Sequence, residues 1–271
     1  MENLIIGDTS QQSFYYPQDY LRISSRNIDI DSICSSKFHS VYITFAEQRI
    51  YDSGIDYTGI NFIYTMDIIE KILDVSSRIV IFTSCELWSK SSGIISIDTP
   101  PNFDISNQYT ISKLLLFNRI KELRKRDERY RKIVLIHPFY FNSVHRSNYF
   151  LFGKIFDSII KEKQIEVGNL DFYRDMIHTK FMVEKCMDAD KDLMMGSGKL
   201  FNVRDFISEL YHIFDMPYSE YVKESMTVKP NDKFIRADVN WNYSYNDLLE
   251  DTIKDIENAR KKYRSYIQLD I

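Results

Sequence analysis

The residues best suited to chemistry in this chain are a tyrosine, a lysine and a serine. Tyr109 and Lys113 are four apart in Tyr109-Thr110-Ile111-Ser112-Lys113, so on a helix they share a face. An ammonium beside a phenol stabilises the phenolate, which makes the pair a usable proton donor and acceptor near neutral pH. Ser84 lies in Thr83-Ser84-Cys85-Glu86-Leu87-Trp88, directly after the apolar run Ile79-Val80-Ile81-Phe82. Open α/β sheets present reactive groups at the carboxyl ends of such strands. The tyrosine–lysine spacing is common by chance; joined to a serine at a preceding strand end it becomes a specific signal.

A second candidate follows the first apolar run, in Gly7-Asp8-Thr9-Ser10-Gln11-Gln12-Ser13. A dinucleotide-binding turn uses glycine three times, for a tight bend and for close approach of backbone to pyrophosphate. Here Gly7 alone remains, and Ser10 and Ser13 take the other two places of a GxxGxxG spacing. Serine is small and can donate to a phosphate; the alternative is a loop that has lost phosphate binding. Pro17 predicts that any helix after this loop is short. Further on, Arg22-Ile23-Ser24-Ser25-Arg26 falls where a second strand ends beside the adenine ribose. An acidic residue there reads as NAD, whereas Arg26 with Ser24 and Ser25 favours the 2′-phosphate of NADP, an exposed loop arginine being the alternative.

These groups need a scaffold, and the apolar pattern supplies one. Leu4–Ile6, Val41–Phe45, Ile79–Thr83 and Ile133–Ile136 read as buried parallel strands. Residues 58–75 and 109–128 have helical spacing between them, and strand alternating with helix predicts a doubly wound α/β sheet. After Pro138 the alternation stops. Residues 150–163, 202–213 and 244–263 read as helices of a smaller lobe, the last with acidic residues early and basic ones late. The expected division is 1–140 for the dinucleotide-binding layer and 141–271 mainly for a substrate lobe, with some segments returning to the sheet.

With these elements in place, the chain resembles an extended short-chain dehydrogenase/reductase of the nucleotide-sugar epimerase/dehydratase family, with a Rossmann-type sheet. Ser84 falls on the family's catalytic Ser/Thr, and Tyr109 and Lys113 on its YxxxK. Thr83 to Trp88 is similar to the STSELYG segment of GDP-mannose 4,6-dehydratases, and Gly168-Asn169-Leu170-Asp171 with Arg174-Asp175-Met176-Ile177-His178 is similar to their GNLDxxRDWGH. Met195 to Phe206 and Lys229-Pro230-Asn231-Asp232 resemble late family segments. Lys229 stands where the family has arginine, which forfeits a bidentate fork.

The resemblance implies that Tyr109 exchanges the proton of a sugar hydroxyl or ketone as hydride moves, that Ser84 holds the same oxygen, and that Lys113 binds the nicotinamide ribose. It places Gly7, Thr9, Ser10, Gln11, Ser24, Ser25, Arg26, Phe45, Ala46 and His137 toward the cofactor, with the core as the alternative for His137. Cys85, Asn142, Lys154 and Arg174 are placed toward the substrate. Cys85 reads as packing rather than as a nucleophile, since no histidine is beside it in the motif. Glu86 stands where 4,6-dehydratases carry the base that takes the C5 proton. Against dehydration, a glycine-poor loop suits an enzyme that exchanges its cofactor each turnover. The expected activity is reduction of a 4-keto-6-deoxy nucleotide sugar for polysaccharide biosynthesis, preferring NADP with NAD as the alternative. A 4,6-dehydratase, a 4-epimerase and a catalytically silent dinucleotide-binding partner protein are the competing readings. The family also implies a homodimer through a four-helix interface.

Composition excludes other classes. With 35 Lys and Arg against 39 Asp and Glu, the net charge of -4 argues against a nucleic-acid partner. Three scattered cysteines suggest neither a disulfide framework nor a metal site and fit a reducing, cytoplasmic setting. The N-terminus lacks a secretory pattern, and no membrane-length apolar run is present. Lys121 to Lys132 reads as a solvated, charge-balanced face.

Overall fold

The computed structural model describes residues 1–26, 28–29, 33–49, 52, 54–225 and 234–269. The chain divides into two compact units. The first comprises Met1–Lys90, Ile97–Pro138 and Val183–Met195. It contains a parallel sheet of β1 (Glu2–Ile6), β2 (Leu21–Ile23), β3 (Phe38–Ile43), β4 (Ser76–Phe82), β5 (Ile133–Pro138) and β6 (Leu193–Met195), in the order β6-β5-β4-β3-β1-β2. The strands are Ile- and Val-rich because both faces are covered: Leu4, Ile5, Ile6, Ile79, Val80, Leu135 and Ile136 are fully buried. Strand order reverses between β1 and β3, and open α/β sheets take ligands beyond the carboxyl ends of their strands at such a reversal.

The first half of this sheet is reduced. The usual doubly wound order, 3-2-1-4-5-6, places three strands on the first-half side of the reversal; among the described residues only β1 and β2 lie there. The connection between them carries a single 3-10 turn, Ser13–Tyr15, and no α-helix. The Arg22 guanidinium holds this connection together. Its Nη2 donates to the carbonyls of Tyr16 and Pro17, both at 2.9 Å, and to Ser13 at 3.4 Å; its Nη1 donates to Tyr20 at 2.9 Å and Gln18 at 3.3 Å. Arg78 plays a similar part on β4, donating to Ser40 Oγ, the Tyr42 hydroxyl and the carbonyls of Met187 and Ala189.

The helix expected over 58–75 begins as a π-helical stretch, Gly59–Tyr64, and continues as α1 (Thr65–Ile72). A wider turn of this kind re-aims side chains, and here Asn61 is buried. The helix expected over 109–128 is α2 (Gln108–Arg126), started by the Asn107 side chain, which accepts the Thr110 N–H at 3.1 Å. Lys121 to Lys132 is less uniformly solvated than its charge pattern predicts. Arg124 is largely buried and donates to both Asp192 oxygens, at 2.6 and 2.7 Å.

The second unit comprises Ser91–Ser96, Phe139–Met182 and Gly196–Ile271. Its strands come in pairs: Tyr140–Asn142 with Met176–His178, Ile165–Gly168 with Val222–Ser225, Gly93–Ile95 with Ile235–Ala237, and Phe201–Asn202 with Tyr173–Arg174. Three of the expected helices are present as α3 (Leu151–Lys161), α4 (Val203–Ile213) and α5 (Tyr245–Leu269). Asp175 organises this unit from inside. Its Oδ1 accepts from Ser197 N and Oγ at 2.5 and 2.7 Å, and its Oδ2 accepts from Ala237 N at 2.8 Å and Gly198 N at 3.1 Å. Burial pushes the Asp175 carboxyl above its ordinary value against the pull of these donors. A side chain at Gly196 would collide with the same carboxylate. His178 accepts the Lys180 N–H at Nδ1, so its proton is assigned to Nε2, which donates to Asp255 Oδ2 at 3.0 Å.

Candidate active site

The serine and the lysine meet the carboxyl end of β4. Ser84 follows the strand by one residue and caps the 3-10 turn Cys85–Trp88, its Oγ accepting the Glu86 N–H at 3.2 Å. That bond does not use the serine's own proton. Tyr109 and Lys113 share a face of α2, and the ammonium of Lys113 donates to the Phe82 carbonyl at 2.8 Å. Lys113 is 3% exposed. Desolvation lowers its pKa to about 8. Glu86 is partly exposed, whereas Cys85 is buried beside Leu87 and Trp88. Cys85, expected toward the substrate, is 3% exposed, as Lys113 is.

His137 is buried as well. It is 1% exposed, with Nδ1 2.5 Å from Thr83 Oγ1. Two rings pack T-shaped against it, Trp88 at 5.4 Å and Phe117 at 5.6 Å between centroids. Its ring packs among Thr83, Trp88 and Phe117. Burial lowers its pKa to about 4, so it is neutral at physiological pH.

The loop after β1 keeps one glycine for a structural reason. Gly7 has φ +112°, and a Cβ there would lie 2.8 Å from both Phe45 N and Thr44 Oγ1. The serines at the other two glycine places are turned inward. Ser10 Oγ donates to Thr44 Oγ1 at 2.9 Å, and Ser13 Oγ donates to the carbonyls of Asp8 and Ser10 at 2.5 and 2.8 Å. Gln11 is buried and Thr9 exposed. Ser24 Oγ accepts the Arg26 N–H at 3.3 Å, the Ser25 carbonyl accepts the Tyr64 hydroxyl at 2.8 Å, and the Arg26 side chain is exposed. Phe45 and Ala46 are partly exposed after β3, with the Phe45 ring 5.7 Å from that of Tyr64. The Glu47 carboxylate in this segment is folded onto Arg49, which holds it below its ordinary pKa and neutralises its charge.

Asn61 is a bracing residue near this helix that sequence reading missed. Its Oδ1 accepts the Glu47 N–H at 2.8 Å, and its Nδ2 donates to the Glu47 carbonyl at 2.9 Å and to Ser112 Oγ at 3.1 Å. Ser112 in turn donates to the Tyr109 carbonyl at 2.6 Å. The loop after β3 is thus fastened to the helix that carries the tyrosine and lysine. The available signal was a lone asparagine inside an amphipathic helical run.

The other residues placed toward the substrate, Asn142, Lys154 and Arg174, belong to the second unit. Asn142 stands opposite His178 in a strand pair, and Lys154 is exposed on α3. The Arg174 guanidinium lies over the rings of Phe172 and Tyr140, at 4.5 and 5.0 Å. Lys229 lies outside the described residues. Among the described residues no cluster of His, Cys, Asp or Glu could hold a metal ion, and no helix is long and apolar enough to cross a membrane.

One feature fits a dinucleotide at this end of the sheet: the buried Lys113 ammonium, whose partner is a neutral carbonyl rather than a carboxylate, so its positive charge is left uncompensated.

No family model matches the sequence, and no curated protein matches it. Solved structures do match, over nearly the whole chain. MoeE5 in complex with UDP-glucose and NAD is 13% identical with a TM-score of 0.77, the match covering 96% of this chain and 99% of that one. RMD from Pseudomonas aeruginosa complexed with NADPH is 14% identical with a TM-score of 0.75, covering 97% and 100%. DesIV, a dTDP-glucose 4,6-dehydratase from Streptomyces venezuelae with NAD bound, is 13% identical with a TM-score of 0.76, covering 96% and 98%. The chain therefore has the Rossmann-type fold of these nucleotide-sugar enzymes, the fold of the extended short-chain dehydrogenases/reductases that its motifs resemble.

Proposed function

We propose that this chain is a nicotinamide-dinucleotide-dependent oxidoreductase acting at C4 of a nucleotide-linked sugar, and that it reduces a 4-keto-6-deoxy sugar. The observation that carries this reading is the burial of Lys113 beneath the carboxyl end of β4, on the same helix face as Tyr109 and two residues from Ser84 through the Phe82 carbonyl. A buried ammonium without an anionic partner costs stability, and a site for ribose hydroxyls accounts for keeping it. The solved neighbours, with nucleotide sugars, NAD or NADPH in their complexes, support the substrate and cofactor class.

The nicotinamide, when bound, supplies the hydride. Tyr109 delivers a proton to the carbonyl oxygen, and Ser84 donates its unused hydroxyl proton to the same oxygen and holds it in place. Lys113 binds ribose hydroxyls and favours the phenolate that Tyr109 leaves behind. Glu47, turned onto Arg49, does not oppose an incoming phosphate. Exposed Arg26 suits a 2′-phosphate, hence NADP, with NAD as the alternative. A homodimer joined through Gly59–Ile72 and α2 belongs to the same reading, since both expose apolar side chains: Ile60, Ile63 and Leu115.

The test is to mix the protein with NADPH and nucleotide-linked 4-keto sugars and follow the reduced-nicotinamide absorbance. Consumption is expected, and Tyr109→Phe should abolish it while calorimetry still shows dinucleotide binding. Water loss from a plain nucleotide sugar without NADPH consumption replaces the reductase with a dehydratase. If neither NADP nor NAD binds, the reading fails and a silent member of the fold takes its place.

A further inference from the structure

His137 touches every segment that carries the proposed catalytic groups, although it is sealed away from them. Thr83, immediately before Ser84, donates its N–H to the Ile136 carbonyl at 2.8 Å, and its Oγ1 lies 3.2 Å from that carbonyl and 2.5 Å from His137 Nδ1. One proton arrangement satisfies both contacts: His137 donates Nδ1–H to the threonine oxygen, which donates onward to the carbonyl. The ring of His137 packs T-shaped against Trp88, in the turn that Ser84 caps, and Phe117, one helical turn beyond Lys113 on α2. A single buried imidazole thus bonds to the end of β4 and packs against both the serine's turn and the tyrosine–lysine helix.

We infer that His137 is a positioning residue that fixes Ser84 relative to Tyr109 and Lys113 through Thr83, Trp88 and Phe117. The inference rests on the proposed function for its catalytic consequence, and on geometry alone for its structural one. A hydrogen-bonding aromatic is the side chain this place requires. Phenylalanine would preserve the two ring contacts and lose the bond to Thr83. Asparagine presents an amide where Nδ1 lies, preserving the bond while losing the ring. In a packed interior such a bond sets strand-end placement at the scale of tenths of an ångström, the scale on which reacting groups must be held.

The test compares the intact chain with His137→Phe and His137→Asn by residue-resolved amide hydrogen exchange, which needs no substrate. In His137→Phe, exchange at Thr83 and Glu86 is expected to rise about ten-fold, while Val41 and Val80 in the sheet centre keep their wild-type rates. His137→Asn should restore most of the protection. If His137→Phe does not fold, Thr83→Val removes the same bond from the other side and should give the same local pattern. Unchanged exchange at Thr83 and Glu86, or a rise shared equally with Val41 and Val80, overturns the inference. With a turning-over substrate, His137→Phe should lower kcat about 10–100-fold and change the KM for dinucleotide less than about three-fold. An unaltered kcat would also overturn it. If wild-type protein binds no dinucleotide, the proposed function falls, and the exchange comparison still decides the role of His137.

Discussion

Lys113 Nζ donates to the Phe82 carbonyl at 2.8 Å, placing a positive charge inside the protein two residues before Ser84. Its pKa is lowered from 10.5 to about 8 by desolvation, so below pH 8 the folded state carries the full cost of a buried charge. Between pH 8 and 10.5 the unfolded state binds more protons, stability rises, and the penalty disappears. Lys113→Met should therefore stabilise the protein at pH 6 by about 2 kcal/mol, after allowing about 1 kcal/mol for the lost hydrogen bond. The gain should vanish near pH 10.5, and the variant should be inactive. Urea unfolding at several pH values measures it.

Glu86 separates two chemistries at one site. In a dehydratase its carboxylate removes a carbon-bound proton, and Glu86→Gln should lower kcat by about 100-fold or more. In the reductase proposed here no such proton is taken, so Glu86→Gln should keep turnover within about five-fold of wild type. Steady-state assays with both substrate types give the answer.

Asp175 accepts four hydrogen bonds from Ser197, Gly198 and Ala237 within the second unit. Asp175→Asn would turn an amide N–H₂ toward those donors. A loss of about 3–4 kcal/mol is expected, read as a lower urea midpoint.

Arg22 clasps a crossover that has no helix of its own. Arg22→Met leaves those carbonyls without their donor and should cost about 2 kcal/mol. Arg22→Lys should recover little, because a point ammonium cannot span carbonyls on both sides of a planar fork. Differential scanning calorimetry tests both.

Ile63 is 61% exposed on the π-helical stretch. If the proposed dimer forms through that face, Ile63→Glu should shift sedimentation from dimer to monomer while circular dichroism stays unchanged. A wild-type protein that sediments as a monomer removes that part of the proposal.

The sheet was legible because β1, β3, β4 and β5 are apolar runs that only a doubly covered parallel sheet can accommodate. The placement of Ser84 and Lys113 followed from strand-end and helix-face logic. The roles of Asn61 and His137 were not legible, for a common reason. Each works through a buried polar bond to a distant part of the chain, Glu47 and Thr83, and no local period reports such a contact. The π-helical turn that buries Asn61 also breaks the 3.6-residue spacing by which the helix was read. Pro17 correctly limited the helix after the Gly7 loop, but nothing in the sequence pattern announced that Arg22 would take its place.

The Asn61 bridge has a mechanical consequence. Because one amide grips both backbone groups of Glu47 and the hydroxyl of Ser112, the strap after β3 cannot lift without pulling on α2. The surface these two segments present is braced, so under the proposed function it would select a dinucleotide by fit to a fixed outline rather than by yielding to it.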